Sequence, residues 1–195
     1  MIPKLIYLGV ETILKIICEK IIIKRIKMVH KDKKFNGKID ELYIMAESII
    51  FNKINISNIN IKLRDIILRL AFNKKEFFIE NCCALIQIRL TSDNIYNTLI
   101  NNEWNKLKES IESFICTSFE SIQINNNSIN FISSDTFSKN NISYSLQYDE
   151  NTISLVNNIN EEKLSILNDK NIIVRNLFLS QNYIELELSS SIIFN

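Results

Sequence analysis

The chain has 195 residues, 46% of them hydrophobic, and a formal net charge of +1, which suits one domain with a sizeable core. Two glycines and one proline exclude a glycine-rich phosphate cradle, since Gly9 and Gly37 are too far apart in sequence to build one. A single histidine, His30, excludes triads and multi-histidine metal sites, and four cysteines without a C-x-x-C spacing (Cys18, Cys82, Cys83, Cys116) read as buried free thiols in a reducing compartment.

Residues 3–29 read as one long amphipathic helix. Leu5, Ile6, Val10, Ile13, Leu14, Ile17, Ile21 and Ile22 make a wide apolar face, and Glu11–Lys15 and Lys15–Glu19 are i,i+4 pairs. Charges across its centre exclude a transmembrane span, and its start, apolar run and flanks do not match a secretory signal. Residues 1–38 hold ten Lys/Arg against three acids, a balance of +7, whereas the remainder holds 13 against 19, a balance of −6. The expectation is a basic arm over 1–36 on an acidic, strand-rich body over 37–195, in a single domain. Lys20, Lys24, Arg25, Lys27, Lys31, Lys33 and Lys34 are the candidate contacts to an anionic membrane surface. Nucleic acid is excluded as the anionic partner because only Tyr7 and Phe35 offer aromatic stacking among these cations.

Strands are expected over Lys38–Phe51 and Lys53–Leu63, with a bulge or a sharp bend at Ser57-Asn58 where the apolar phase switches. Asp65–Phe72 fits helix or strand. Ala84–Leu90 is a strand that turns at Thr91-Ser92-Asp93, with Thr91 or Ser92 as N-cap, into helices of about 92–100 and 103–117 broken at Asn101-Asn102. Strands then follow over Ser121–Ile124, Ser128–Ser133, Ile142–Tyr148, Thr152–Val156, Lys163–Leu167, Ile172–Leu179 and Tyr183–Phe194, the first two flanking a hairpin turn at Asn125-Asn126-Asn127. The acidic pairs Glu161-Glu162 and Glu185/Glu187 read as a loop and the wet face of a strand, so no catalytic, metal or cofactor site is expected and the protein reads as a non-enzyme.

Gly37-Lys38-Ile39 opening a strand, Ala46 near its middle, the alternating run Phe51–Leu63, the segment Leu90-Thr91-Ser92-Asp93-Asn94-Ile95-Tyr96-Asn97-Thr98-Leu99 and the nearby Trp104 carry a family resemblance. In these features the chain resembles the LmeA-like phospholipid-binding family, in particular its cyanobacterial and plastid branch. It departs at Asn94, Tyr96 and Thr98, where Asp, Asn and Ser are usual. The resemblance implies an α+β fold similar to tubular lipid-binding (TULIP-like) domains. A curved antiparallel sheet would pack on one or two long helices behind an N-terminal amphipathic helix, with an apolar groove for phospholipid acyl chains. Trp104, Leu107 and Ile111 would line that groove. With neither a secretory signal nor a transmembrane span read in the sequence, the expectation is a membrane-peripheral protein of the cytoplasm or plastid stroma. The rival expectation is an assembly factor whose N-terminal helix docks on a protein partner.

Overall fold

The computed structural model describes residues 2–29, 37–71, 76–133 and 143–193. Helix α1 (Ile2–Ile17) leads into β1 (Lys20–Val29), β2 (Lys38–Phe51), β3 (Ile54–Ala71) and β4 (Glu76–Thr91). Helices α2 (Ser92–Leu99) and α3 (Asn105–Ile115) follow, with a 3-10 turn (Asn102–Trp104) between them. The remaining strands are β5 (Ser121–Asn125), β6 (Ser128–Ile132), β7 (Tyr144–Asp149), β8 (Thr152–Asn157), β9 (Lys163–Asn168), β10 (Ile173–Ser180) and β11 (Tyr183–Ile193).

These strands divide between two antiparallel sheets, one ordered β1-β2-β3-β4-β11-β10 and the other β5-β6-β7-β8-β9. The α+β class is as expected, but the tubular architecture is not. Both sheets are open, each with two edge strands, and neither wraps a long helix. The physical reason lies between β4 and β5. Asn101 leaves helical geometry to cap the 3-10 turn through its side chain, so the helical stretch is cut into pieces of 8 and 11 residues. An 11-residue helix is only about 16 Å long, too short to serve as the axis of a wrapped sheet.

The residues read as a single N-terminal helix also divide. The helix ends at Ile17, and the β-branched run Ile21-Ile22-Ile23 continues as edge strand β1, which pairs with β2 from Lys20↔Ile50 to Val29↔Glu41. β-branched side chains fit a pleated surface better than a helix turn. The helical spacing of the apolar residues survives into β1 because a register shift between Ile23 and Arg25 advances the alternation by one residue.

Cross-strand pairing stacks apolar residues into rows on one face of the six-stranded sheet. One row runs Ile26, Ile44, Ile61, Ile86, Leu188 and Val174; the next runs Ile23, Ala46, Ile59, Ile88, Leu186 and Leu177. Two layers cover this inner face. Helix α1 covers the β1–β3 end, placing Ile6, Val10 and Leu14 against Leu42, Ile44 and Ile66. The five-stranded sheet covers the β4–β11–β10 end, where Ile153, Leu146 and Ile166 meet Val174 and Leu188. Helices α2 and α3 close a third side, so Leu99, Ile111 and Ile115 join Ile124, Tyr144, Leu179 and Ile184 in one cluster that draws on both sheets.

The bulge expected at Ser57-Asn58 is absent from β3, which keeps one register with β2 from Glu47↔Asn58 through Ile49↔Ile56. The irregularity falls on β2 itself, where Ser48 has φ 51° and the β1–β2 register shifts. Asp65–Phe72 resolves as strand through Ala71, with a register shift beside Asp65, whose φ is 54°.

Candidate functional site

Seven of the ten sequence-predicted site residues lie among the described residues. The membrane candidates Lys20, Lys24, Arg25 and Lys27 lie on β1, an edge strand rather than a helical arm. Arg25 pairs with Met45 and Lys27 with Tyr43, the positions of β2 that alternate with its buried residues, so these cations face away from α1. Lys24 is ion-paired with Glu47, whereas Lys20, Arg25 and Lys27 make no ion pair among the described residues. Lys31, Lys33 and Lys34, together with His30, lie outside the described residues.

The proposed groove residues sit around α3. Ile111 is buried within the cluster that links both sheets, and Leu107 packs on it from the partly buried side. Trp104 caps the far end of a different contact, its Nε1 donating to the Asn52 carbonyl at 3.1 Å. Asn52 and Lys53 both have positive φ (46° and 61°) between the paired Phe51 and Ile54, a two-residue turn that favours such conformations. Glu19 receives the Lys53 ammonium in an ion pair, which holds the Glu19 carboxyl below its ordinary range.

Helix α1 is apolar on two flanks. Ile6, Val10 and Leu14 face the sheet, while Leu8, Ile13 and Ile16 face outward, Leu8 being 62% and Ile16 76% exposed. At 100° per residue Leu8, Thr12, Ile16, Gly9 and Ile13 form one uncharged arc, and the Glu11–Lys15 ion pair borders it beside Leu8. Nothing lies within 4 Å of a Cβ built on Gly9, so the arc is open. Helix α1 runs beside edge strand β1, so its free aliphatic arc and the lysine-rich strand share one end of the molecule, on opposite faces of the sheet. No helix among the described residues is long and apolar enough to cross a membrane.

Two surface hollows occur elsewhere. One of about 330 Å³ lies beside Ser48 and is lined by Lys20, Glu47, Asn55, Ser57 and Asn94. Its floor is already satisfied: Asn94 Oδ1 accepts from the Thr91 amide (3.0 Å), the Thr91 hydroxyl (2.9 Å) and the Ser57 hydroxyl. The second, of about 310 Å³, lies on the outer face of the six-stranded sheet between two cross-strand rows. Met45, Asn60, Gln87, Glu187 and Asn176 form one row; Asn58, Arg89, Glu185 and Phe178 form the other. Arg89 pairs with Glu185 and stacks on Tyr183 at 4.5 Å, which raises its pKa. Further along β2, Glu41 accepts from Tyr43 (2.8 Å) and Lys62 (3.0 Å), and the lysine bond chiefly holds its carboxyl below the ordinary value of 4.5. Sequence reasoning placed Glu185 and Glu187 on a wet strand face but did not find the hollow. Strand pairing creates it, and that pairing joins residues about 130 positions apart.

The cysteines depart from the expectation of uniform burial. Cys18 and Cys82 are buried, and burial raises their thiol pKa values, but Cys83 and Cys116 are exposed. Cys83 points out because adjacent strand residues face opposite ways, and Cys116 is a left-handed helix C-cap with φ 57°. Among the described residues no group of three or more His, Cys, Asp or Glu side chains could hold a metal ion. No protein-family model, curated protein or solved structure matches the chain.

Proposed function

We propose that this is a non-enzymatic, membrane-peripheral protein that docks on anionic lipid through the end of the sheet formed by α1 and β1. The observation that carries the reading is the coincidence, at one end of the fold, of an open aliphatic arc (Leu8, Ile13, Ile16) and a strand with four cations and no acid. Helix α1 would lie in the headgroup–acyl boundary, and long side chains from the sheet edge would reach the phosphates. The three β1 cations without an ion pair would contribute about 3 kcal/mol at roughly 1 kcal/mol each, on the order of a hundredfold in partitioning. The compartment that fits is the cytoplasm or plastid stroma.

The rival occupant is an apolar groove on a protein partner, which would engage the α1 arc alone. Hydrogen exchange on the full chain with and without phosphatidylglycerol vesicles distinguishes the two. The membrane reading expects new protection confined to α1 and β1 on adding vesicles. Unchanged exchange at α1 at saturating lipid contradicts it.

A further inference from the structure

The hollow on the outer face of the six-stranded sheet has a composition that the membrane reading does not use. Asn58, Asn60 and Asn176 line it, all exposed, and none of their side-chain amides has a hydrogen-bond partner among the described residues. Asparagine is disfavoured in strand interiors, where a β-branched residue would serve the sheet better. Three mid-strand asparagines converging from β3 and β10 on one hollow therefore cost the sheet something without a structural return. Each free amide offers two N–H donors and a carbonyl acceptor, so together they form a surface for a ligand that carries donors and acceptors side by side.

Charge narrows the class. Arg89, Glu185 and Glu187 are the ionic groups of the lining, a formal balance of −1, with Arg89 engaged by Glu185 and Glu187 accepting from Gln87 at 3.2 Å. The lining itself offers an anion such as phosphate or a nucleotide no cation that is not already ion-paired. Phe178, 54% exposed, and Met45, 44% exposed, add apolar surface at opposite ends of the hollow. Amides and carboxylates beside an exposed ring suit a molecule with hydroxyls at its edges and C–H groups on its faces.

We infer that the hollow binds a neutral saccharide, its hydroxyls held by Asn58, Asn60, Asn176 and Gln87 and a ring face resting on Phe178. A volume of about 310 Å³ matches a mono- or disaccharide and lies at the small end of ligand pockets, about 300–1,000 Å³. An extended peptide fits less well. The lining side chains stand on the face of the sheet, from β2 across to the edge strand β10, whereas a peptide gains main-chain hydrogen bonds by lying alongside an edge rather than across a face.

The test is NMR titration of the isotope-labelled full chain with maltose, cellobiose, lactose and chitobiose. Concentrations on the order of 100 mM saturate even a millimolar site. The expected result is saturable shifts clustered at residues 58–60, 87–89 and 176–178 for at least one sugar. The variant Asn58→Thr/Asn60→Thr/Asn176→Thr replaces the amides with residues that strands prefer, so it should retain or raise thermal stability while weakening that binding at least about tenfold. Absence of saturable shifts with every sugar overturns the proposal, as does binding that survives the triple substitution. Shifts at the same residues from a Ser-Ala hexapeptide, without any from sugars, also overturn it. Because α1 and β1 take no part, vesicle binding can fail or succeed without affecting any of these outcomes.

Discussion

Trp104 and Asn52 are joined by a hydrogen bond of 3.1 Å from the indole N–H to the turn carbonyl. The sole tryptophan thereby ties the helical segment to the tip of the β2–β3 hairpin. This contact gives Trp104 a structural task. Trp104→Phe keeps an aromatic ring but removes the donor, and should lower stability by about 0.5–1.5 kcal/mol in urea unfolding followed by circular dichroism. Fluorescence of Trp104 should not change on adding lipid vesicles, since the proposed docking surface is α1 and β1.

Thr98 is a second joint between the same layers. Its hydroxyl donates to the Asn94 carbonyl at 2.8 Å and accepts from the Asn55 amide at 2.9 Å, and its side chain is buried. Thr98→Val preserves shape but leaves the Asn55 N–H without that acceptor, at a cost of about 1–3 kcal/mol. Thr98→Ser should recover most of that loss. A Thr98→Val variant as stable as wild type beside a destabilised Thr98→Ser would show that the methyl group, not the hydroxyl, carries the contact.

Glu41 supplies the pH dependence. Its carboxyl is held below 4.5 by the Lys62 ammonium and the Tyr43 hydroxyl. A lowered folded-state pKa contributes stability that is fully present above the unfolded value and is lost as pH falls through the folded one. The thermal midpoint should therefore fall on acidification below about pH 4.5, and Glu41→Gln should flatten part of that fall. A profile below pH 4.5 that is identical in wild type and Glu41→Gln would contradict the assignment.

Local signals were legible where one side chain decides the backbone. Thr91 is the N-cap of α2, Asn101 breaks the helical segment, and Asn126-Asn127 turn between β5 and β6, each within a residue or two of the sequence reading. The strand order was not legible, because β11 inserts between β4 and β10 through pairings that leave no trace in either strand alone. The β1 strand was misread because the bulge near Lys24 gives a strand the apolar spacing of a helix. That error moved the basic residues from the helix carrying the aliphatic arc to the opposite face of a sheet. Removing residues 1–36 would also remove a strand paired along β2, so point substitutions, not truncation, are the appropriate probe.

The central claim is that the α1 arc and the β1 cations act together on anionic lipid. Flotation of the full chain with phosphatidylglycerol vesicles at low and high salt, beside Ile13→Glu/Ile16→Glu and Lys20→Glu/Arg25→Glu/Lys27→Glu, tests it most directly. Both sets of side chains are largely exposed, so the variants should fold with near-wild-type stability. The account predicts co-flotation of wild type that weakens on the order of a hundredfold in high salt or in the charge variant, and is lost in the isoleucine variant. Wild type that stays at the bottom of the gradient at low salt, or that floats equally well in both variants, would contradict it.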